Sequence, residues 1–239
     1  MTLKREILHL FNIIAAPTEV YNDINATPRW RMPAGLLFII SPMIGFFIIP
    51  AAIEPLRKIY EESFDSRTAE IALQTSTHYF TIINVTFEPL VKIIRWVILS
   101  AVIFIPVLLY GRTASFTYTK VFSVVAYGET LFHLMGILTV LVIYARGIDQ
   151  IADPSDLVVF KGINYFIDKN AVSSSIYNTL SNVNPFSLWY IAVVSRGIQI
   201  TATIRFLTSL MLVSMAWGAW LTLSLGESFV MEKALELFF

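Results

Sequence analysis

The chain has no cysteine among its 239 residues. Disulfides, thiolate metal sites and cysteine nucleophiles are therefore excluded. It also has little charge: Asp, Glu, Lys and Arg make up 14% of the residues, and 17 basic side chains balance 17 acidic ones to a formal net charge of zero. A neutral chain lacks the positive field that neutralises nucleic-acid phosphates, so no nucleic-acid partner is expected. The opening residues, Met1 to Asn12, carry charges and no apolar core ending in small residues, so no cleavable signal peptide is read there. Insertion into a membrane is then expected to rely on the later apolar segments. No Ser-His, His-Glu-x-x-His or paired-aspartate constellation stands in those segments, which predicts a protein that is not an enzyme and needs no cofactor.

Apolar residues fill the space that charge leaves. They make up 56% of the chain, the mean hydropathy is +0.68, and both values lie outside the range of ordinary soluble domains. Five apolar stretches begin near Pro33, Pro89, Val121, Pro185 and Arg205. Each holds roughly 18 to 24 residues, enough for a helix to cross a bilayer. The predicted fold class is an all-α integral membrane protein: a five-transmembrane-helix bundle with amphipathic juxtamembrane helices. Residues 1–32 read as an amphipathic N-terminal segment and 33–239 as the membrane domain, with spans at about 34–53, 89–110, 121–144, 185–203 and 205–225.

Leu3, Ile7, Leu10, Phe11 and Ile14 recur at helical spacing, while Lys4, Arg5, Glu6 and Asn12 take other faces. This pattern predicts a helix lying on the membrane surface, among lipids, although a partner-binding helix would look the same. Pro17 should end it, and Thr18 should cap a short second helix through Asn25. Arg29, Trp30 and Arg31 form an aromatic and basic interfacial anchor before the first span, which Pro42 should kink. Asp65 or Ser66 should cap a juxtamembrane helix leading to the second span, where Lys92 and Arg95 are expected to snorkel and Trp96 to sit near the interface. Between Arg146 and Asn184, Asp153 followed by Pro154 and Asp156 predicts a short helix start in an interfacial or re-entrant segment. Asn184 and Pro185 signal the start of the fourth span, with Trp189 and Tyr190 in an aromatic belt, and a turn is expected near Thr201 to Arg205. Lys4, Arg5, Arg29 and Arg31 bias the N-terminus towards the cytoplasm.

The most unusual intramembrane chemistry lies in the third span, where Tyr127, Glu129, Thr130 and His133 stand close together. Glu129 and His133 are one helical turn apart and share a face. Such a pair can hydrogen-bond internally, relay a proton or help bind a cation. The alternative is a structural role, with Glu129 locked to a cation on a neighbouring helix, for which Arg196 is the expected partner. Two ligands fall short of a metal site, so none is assigned. Tyr127, Glu129, His133 and Arg196 are thus the candidate intramembrane polar site.

Three segments carry a resemblance: Ala16-Pro17-Thr18-Glu19-Val20, Val125-Ala126-Tyr127-Gly128, and Asn184 to Tyr190, reading Asn-Pro-Phe-Ser-Leu-Trp-Tyr. In that order, and spread over nearly the whole chain, they resemble the Yip domain family. The resemblance implies five spans and a role as a non-enzymatic membrane adaptor or scaffold that binds other membrane proteins or itself. Eukaryotic relatives look like membrane-traffic factors whose long cytoplasmic N-terminus engages Rab-type GTPases. The N-terminal segment here is short, so GTPase binding is not carried over and a prokaryotic cell membrane is the implied location. The alternative function is a small transporter or channel for an ion, proton or lipid that uses Glu129, His133 and Arg196.

Overall fold

The computed structural model describes residues 3–109, 115–151, 154–168 and 171–238. Ten α-helices occur among them: α1 (Leu3–Ala15), α2 (Pro17–Ala26), α3 (Arg31–Ser63), α4 (Ser66–Thr81), α5 (Glu88–Leu109), α6 (Tyr118–Gly128), α7 (Thr130–Arg146), α8 (Ser174–Ser181), α9 (Pro185–Ala202) and α10 (Phe206–Phe238). No strand occurs among the described residues. The chain is an all-α, multi-pass membrane protein, as its composition predicts.

Local chemistry explains several of the helix ends. Asp65 accepts the backbone N–H groups of Arg67 and Thr68 at 3.1 and 3.2 Å and so caps α4. Asn184 accepts from Phe186 and Ser187 at 3.0 and 3.1 Å, and the Ser187 hydroxyl accepts the Asn184 N–H at 2.9 Å. This reciprocal capping box, with Pro185 in the first turn, opens α9 where the sequence signals it. The turn between α9 and α10 falls at Thr203, whose φ of 54° ends α9 in the left-handed region. Pro17 separates α1 from α2 but sits in the first turn of α2 behind Ala16, so Thr18 lies inside the helix instead of capping it. The cap expected at Asp153 lies outside the described residues. Pro154–Leu157 forms a single 3₁₀ turn.

Four helical segments are long and apolar enough to cross a membrane: Arg31–Ser63, Ser66–Leu109, Tyr118–Arg146 and Phe206–Gly226. The first continues to Ser63, well past its expected end at 53, and contains Pro42, Pro50 and Pro55. The second joins the expected juxtamembrane helix to the expected span, because α4 runs into α5 through a π-helical turn at Ile82–Phe87. The expected fourth span, α9, is 18 residues long and carries Arg196 and Gln199. By length and apolarity four such helices occur among the described residues, and α9 is not one of them. The physical reason is shielding: α9 packs against α2, α6 and α10, and a helix covered by protein does not need an apolar surface all round.

The chain divides into two compact units. Unit 1 comprises Met1–Met32, Trp96–Leu131 and Phe160–Phe239; unit 2 comprises Pro33–Arg95 and Phe132–Val159. The N-terminal segment, residues 1–32, falls in unit 1 with α6 and α9. Its helix α2 packs directly against both.

Candidate functional site

In unit 1 the core forms where α2, α6 and α9 meet. Val20, Tyr21 and Ile24 from α2, Val124 and Val125 from α6, and Val194 and Ile198 from α9 are all buried. Close approach depends on two glycines. A Cβ at Gly197 would fall 2.4 Å from Val124 Cγ1 and 3.0 Å from the Tyr21 ring, and one at Gly128 would fall 2.5 Å from Val194 Cγ2. The Tyr21 hydroxyl donates to the Val124 carbonyl at 3.4 Å, and Lys120 Nζ donates to Asn25 Oδ1 at 2.9 Å. Complete burial drives the Tyr21 phenol well above its ordinary range, so it stays a donor.

Two ion pairs, Arg5–Asp23 and Arg29–Glu6, and a polar contact from His9 to Asp23 fasten α1 to this core. Asp23 on α2 pairs with Arg5 and, at 3.0 Å, with His9 Nε2, while Arg29 Nη1 reaches Glu6 Oε1 at 3.3 Å. The His9 ring meets Tyr127 edge-on at a centroid distance of 6.4 Å. Burial holds the His9 imidazole below its ordinary pKa; Asp23 opposes that shift, and Arg5 and Arg29 reinforce it.

The structure distributes the four residues of the sequence-predicted site. Tyr127 is fully buried, and its hydroxyl has no hydrogen-bond partner among the described residues. Arg196 donates from Nε to Thr18 Oγ1 at 3.1 Å and from Nη1 to Gln199 Oε1 at 2.7 Å. The expected Glu129–Arg196 pair is thus replaced by neutral acceptors, because α2 carries Thr18 across to α9 and Gln199 sits one turn along the same helix. Glu129 belongs to unit 1 and is 1% exposed, at a one-residue interruption between α6 and α7. There the Thr130 hydroxyl donates to the Tyr127 carbonyl at 2.7 Å. His133 belongs to unit 2 and is 3% exposed.

Unit 2 holds a polar cluster that the sequence reading missed. Ser41 on α3, fully buried, donates to Glu88 Oε2 at 2.9 Å and accepts from Lys92 Nζ at 3.0 Å, while Lys92 pairs with Glu88 Oε1 at 2.6 Å. Lys92 therefore does not simply snorkel. Its charge is neutralised by the residue one turn before it on α5, as the i,i+4 spacing allows. Nor does Arg95 reach out alone, since its guanidinium lies 5.3 Å from the Phe132 ring centroid. The cluster sits beside two breaks in regular helix: Pro42 follows Ser41, and the π-turn ends just before Glu88. The ladder is further pinned at Gly45, where a Cβ would stand 2.9 Å from the Asn84 carbonyl oxygen.

The expected interfacial anchors separate into two groups. Trp30, Arg31 and Trp189 are outward, and Arg29 is tied to Glu6. Trp96 and Tyr190, expected at an interface, are instead core residues: Trp96 packs on Phe122 at 6.2 Å and Tyr190 on Trp217 at 5.4 Å. Large aromatic rings are as well suited to filling a helix junction as to lining an interface, and sequence alone does not separate the two. Asn184 and Pro185 serve as the helix cap described above. No family model, no curated protein and no solved structure matches the chain.

Proposed function

We propose that this chain is a Yip-like, non-enzymatic membrane adaptor of a prokaryotic cell membrane, with a cytoplasmic N-terminus, that binds other membrane proteins or further copies of itself. One observation carries the reading. The three segments on which the resemblance rests lie on α2, α6 and α9, helices that pack on one another in one core, and Gly128 of the second segment lies against Tyr190 of the third. Residues scattered along a chain that meet in one place have a shared packing job. Outside that core, α10 turns Leu207, Met211 and Met215 outward. Methionine at such positions gives an adaptable apolar surface suited to a neighbouring helix.

The reading is tested by purification in native-lipid discs and mass spectrometry of what stays bound. A protein partner should be retained by the native chain and lost in Met211→Trp/Met215→Trp, with thermal stability unchanged. If nothing is retained and reconstituted vesicles instead show ion or proton flux that Glu129→Gln abolishes, the transporter reading takes its place. That second reading is favoured by the burial of Glu129 and His133 in a membrane-crossing helix, where ionisable groups are costly.

A further inference from the structure

Helix α1 carries apolar side chains on both of its faces. Glu6 and His9 turn towards the protein beside the fully buried Ile13, and Arg5, itself exposed, reaches Asp23. The opposite face is apolar and uncovered: Ile7 is 42%, Leu8 48% and Phe11 67% exposed. A helix whose outer face met water would carry polar side chains there. Lys4 brings charge to the outward face: at helical spacing it shares that face with Ile7, Leu8 and Phe11, and it is exposed, as is its neighbour Arg5, which is paired with Asp23. The acidic groups nearby are already paired, Glu6 with Arg29 and Asp23 with Arg5 and His9.

From this juxtaposition we infer that the outward face of α1 is a lipid-docking surface, with Ile7, Leu8 and Phe11 entering the acyl boundary and Lys4 meeting an anionic headgroup. The occupant is lipid and not protein on two grounds. The helix is continuous with a membrane-embedded chain, since α2 packs on α6 of the third span and Arg31 begins the first span. The exposed charge on that face is basic, which complements the acidic surface of an anionic bilayer. The inference stands whether or not the chain is an adaptor.

The absence of cysteine makes the test direct, because a single introduced thiol is the only site of labelling. Phe11→Cys, and as a control Glu62→Cys in the exposed last turn of α3, are labelled with bimane. Both are reconstituted in phosphatidylcholine vesicles with or without phosphatidylglycerol. Expected at position 11 is strong quenching by nitroxide-bearing lipid, weak quenching by iodide, and a several-fold preference for lipid that grows with phosphatidylglycerol and shrinks in Lys4→Glu. Quenching by iodide equal to that at position 62 would place the face in water and overturn the inference. Protection from both quenchers would mean that protein covers it, and a preference indifferent to phosphatidylglycerol would overturn the role given to Lys4.

Discussion

Gly197 decides how closely α9 approaches α2 and α6, because its missing Cβ leaves room that Val124 and the Tyr21 ring fill from opposite helices. A methyl group there must displace packed atoms at 2.4 and 3.0 Å, and overpacking of this kind costs about 1–3 kcal/mol. Gly218, by contrast, has no atom within 4 Å of a built Cβ. Gly197→Ala should therefore lower Tm by about 2–4 °C for each kcal/mol lost, while Gly218→Ala should hold or raise it through better helix propensity. Thermal unfolding of the two purified variants checks the contrast, and equal losses would deny Gly197 its packing role. At this scale, what the sequence reveals depends on reach. Asp65, Asn184 and Pro185 could be read because their partners lie within three residues. Arg196 bonds to Thr18, 178 positions away, and Ser41 to Glu88, 47 positions away, and no local pattern announces such pairs. A guanidinium expected to seek a carboxylate was satisfied by a hydroxyl and an amide, because the fold delivered those first.

Among the elements, α1 is held to unit 1 by contacts to Asp23 and Arg29 and by the buried His9 and Ile13. The groups facing His9 are Asp23, Arg5, Arg29 and Tyr127. With α1 detached, His9 takes a proton near its ordinary value of 6.5; packed, it resists protonation because burial disfavours the charged ring. The detached state binds more protons, so the docking of α1 is at full strength above pH 6.5 and weakens as pH falls from there towards the lower packed-state value. Hydrogen exchange of α1 relative to α9, followed from about pH 7.5 to about pH 5.5 and corrected for intrinsic exchange, should show α1 opening selectively as pH falls. His9→Gln should flatten that dependence. A profile identical in the native chain and the variant would sink this account. The helical periodicity of α1 was plain in the sequence, and the outward apolar stripe follows it. What periodicity could not reveal is that His9 and Glu6 face inward, where Asp23 and Arg29 meet them.

For the whole molecule, the number of crossings rests on α9. At about 1.5 Å per residue its 18 residues extend for about 27 Å, close to the hydrocarbon thickness of about 30 Å, so length permits a crossing. Its polarity is tolerable because α2, α6 and α10 enclose it and because Arg196 has partners in Thr18 and Gln199. Hydropathy measures how a helix would fare alone in lipid, which is why it detects the four segments that contain α3, α5, α7 and α10 and undervalues α9, which is packed among its neighbours. Taking α9 as a crossing and the N-terminus as cytoplasmic, the turn at Thr203 lies on the N-terminal side of the membrane. If α9 instead folds back without crossing, Thr203 lies opposite. Thr203→Cys, exposed and the only thiol in its chain, should react with a membrane-impermeant maleimide from the same face as Thr2→Cys and from the face opposite Glu62→Cys. Reaction of positions 203 and 62 from one face would reduce the crossings to four, bring both ends of the chain to one side, and require the charge-based orientation to be argued again from Lys4, Arg5, Arg29 and Arg31 alone.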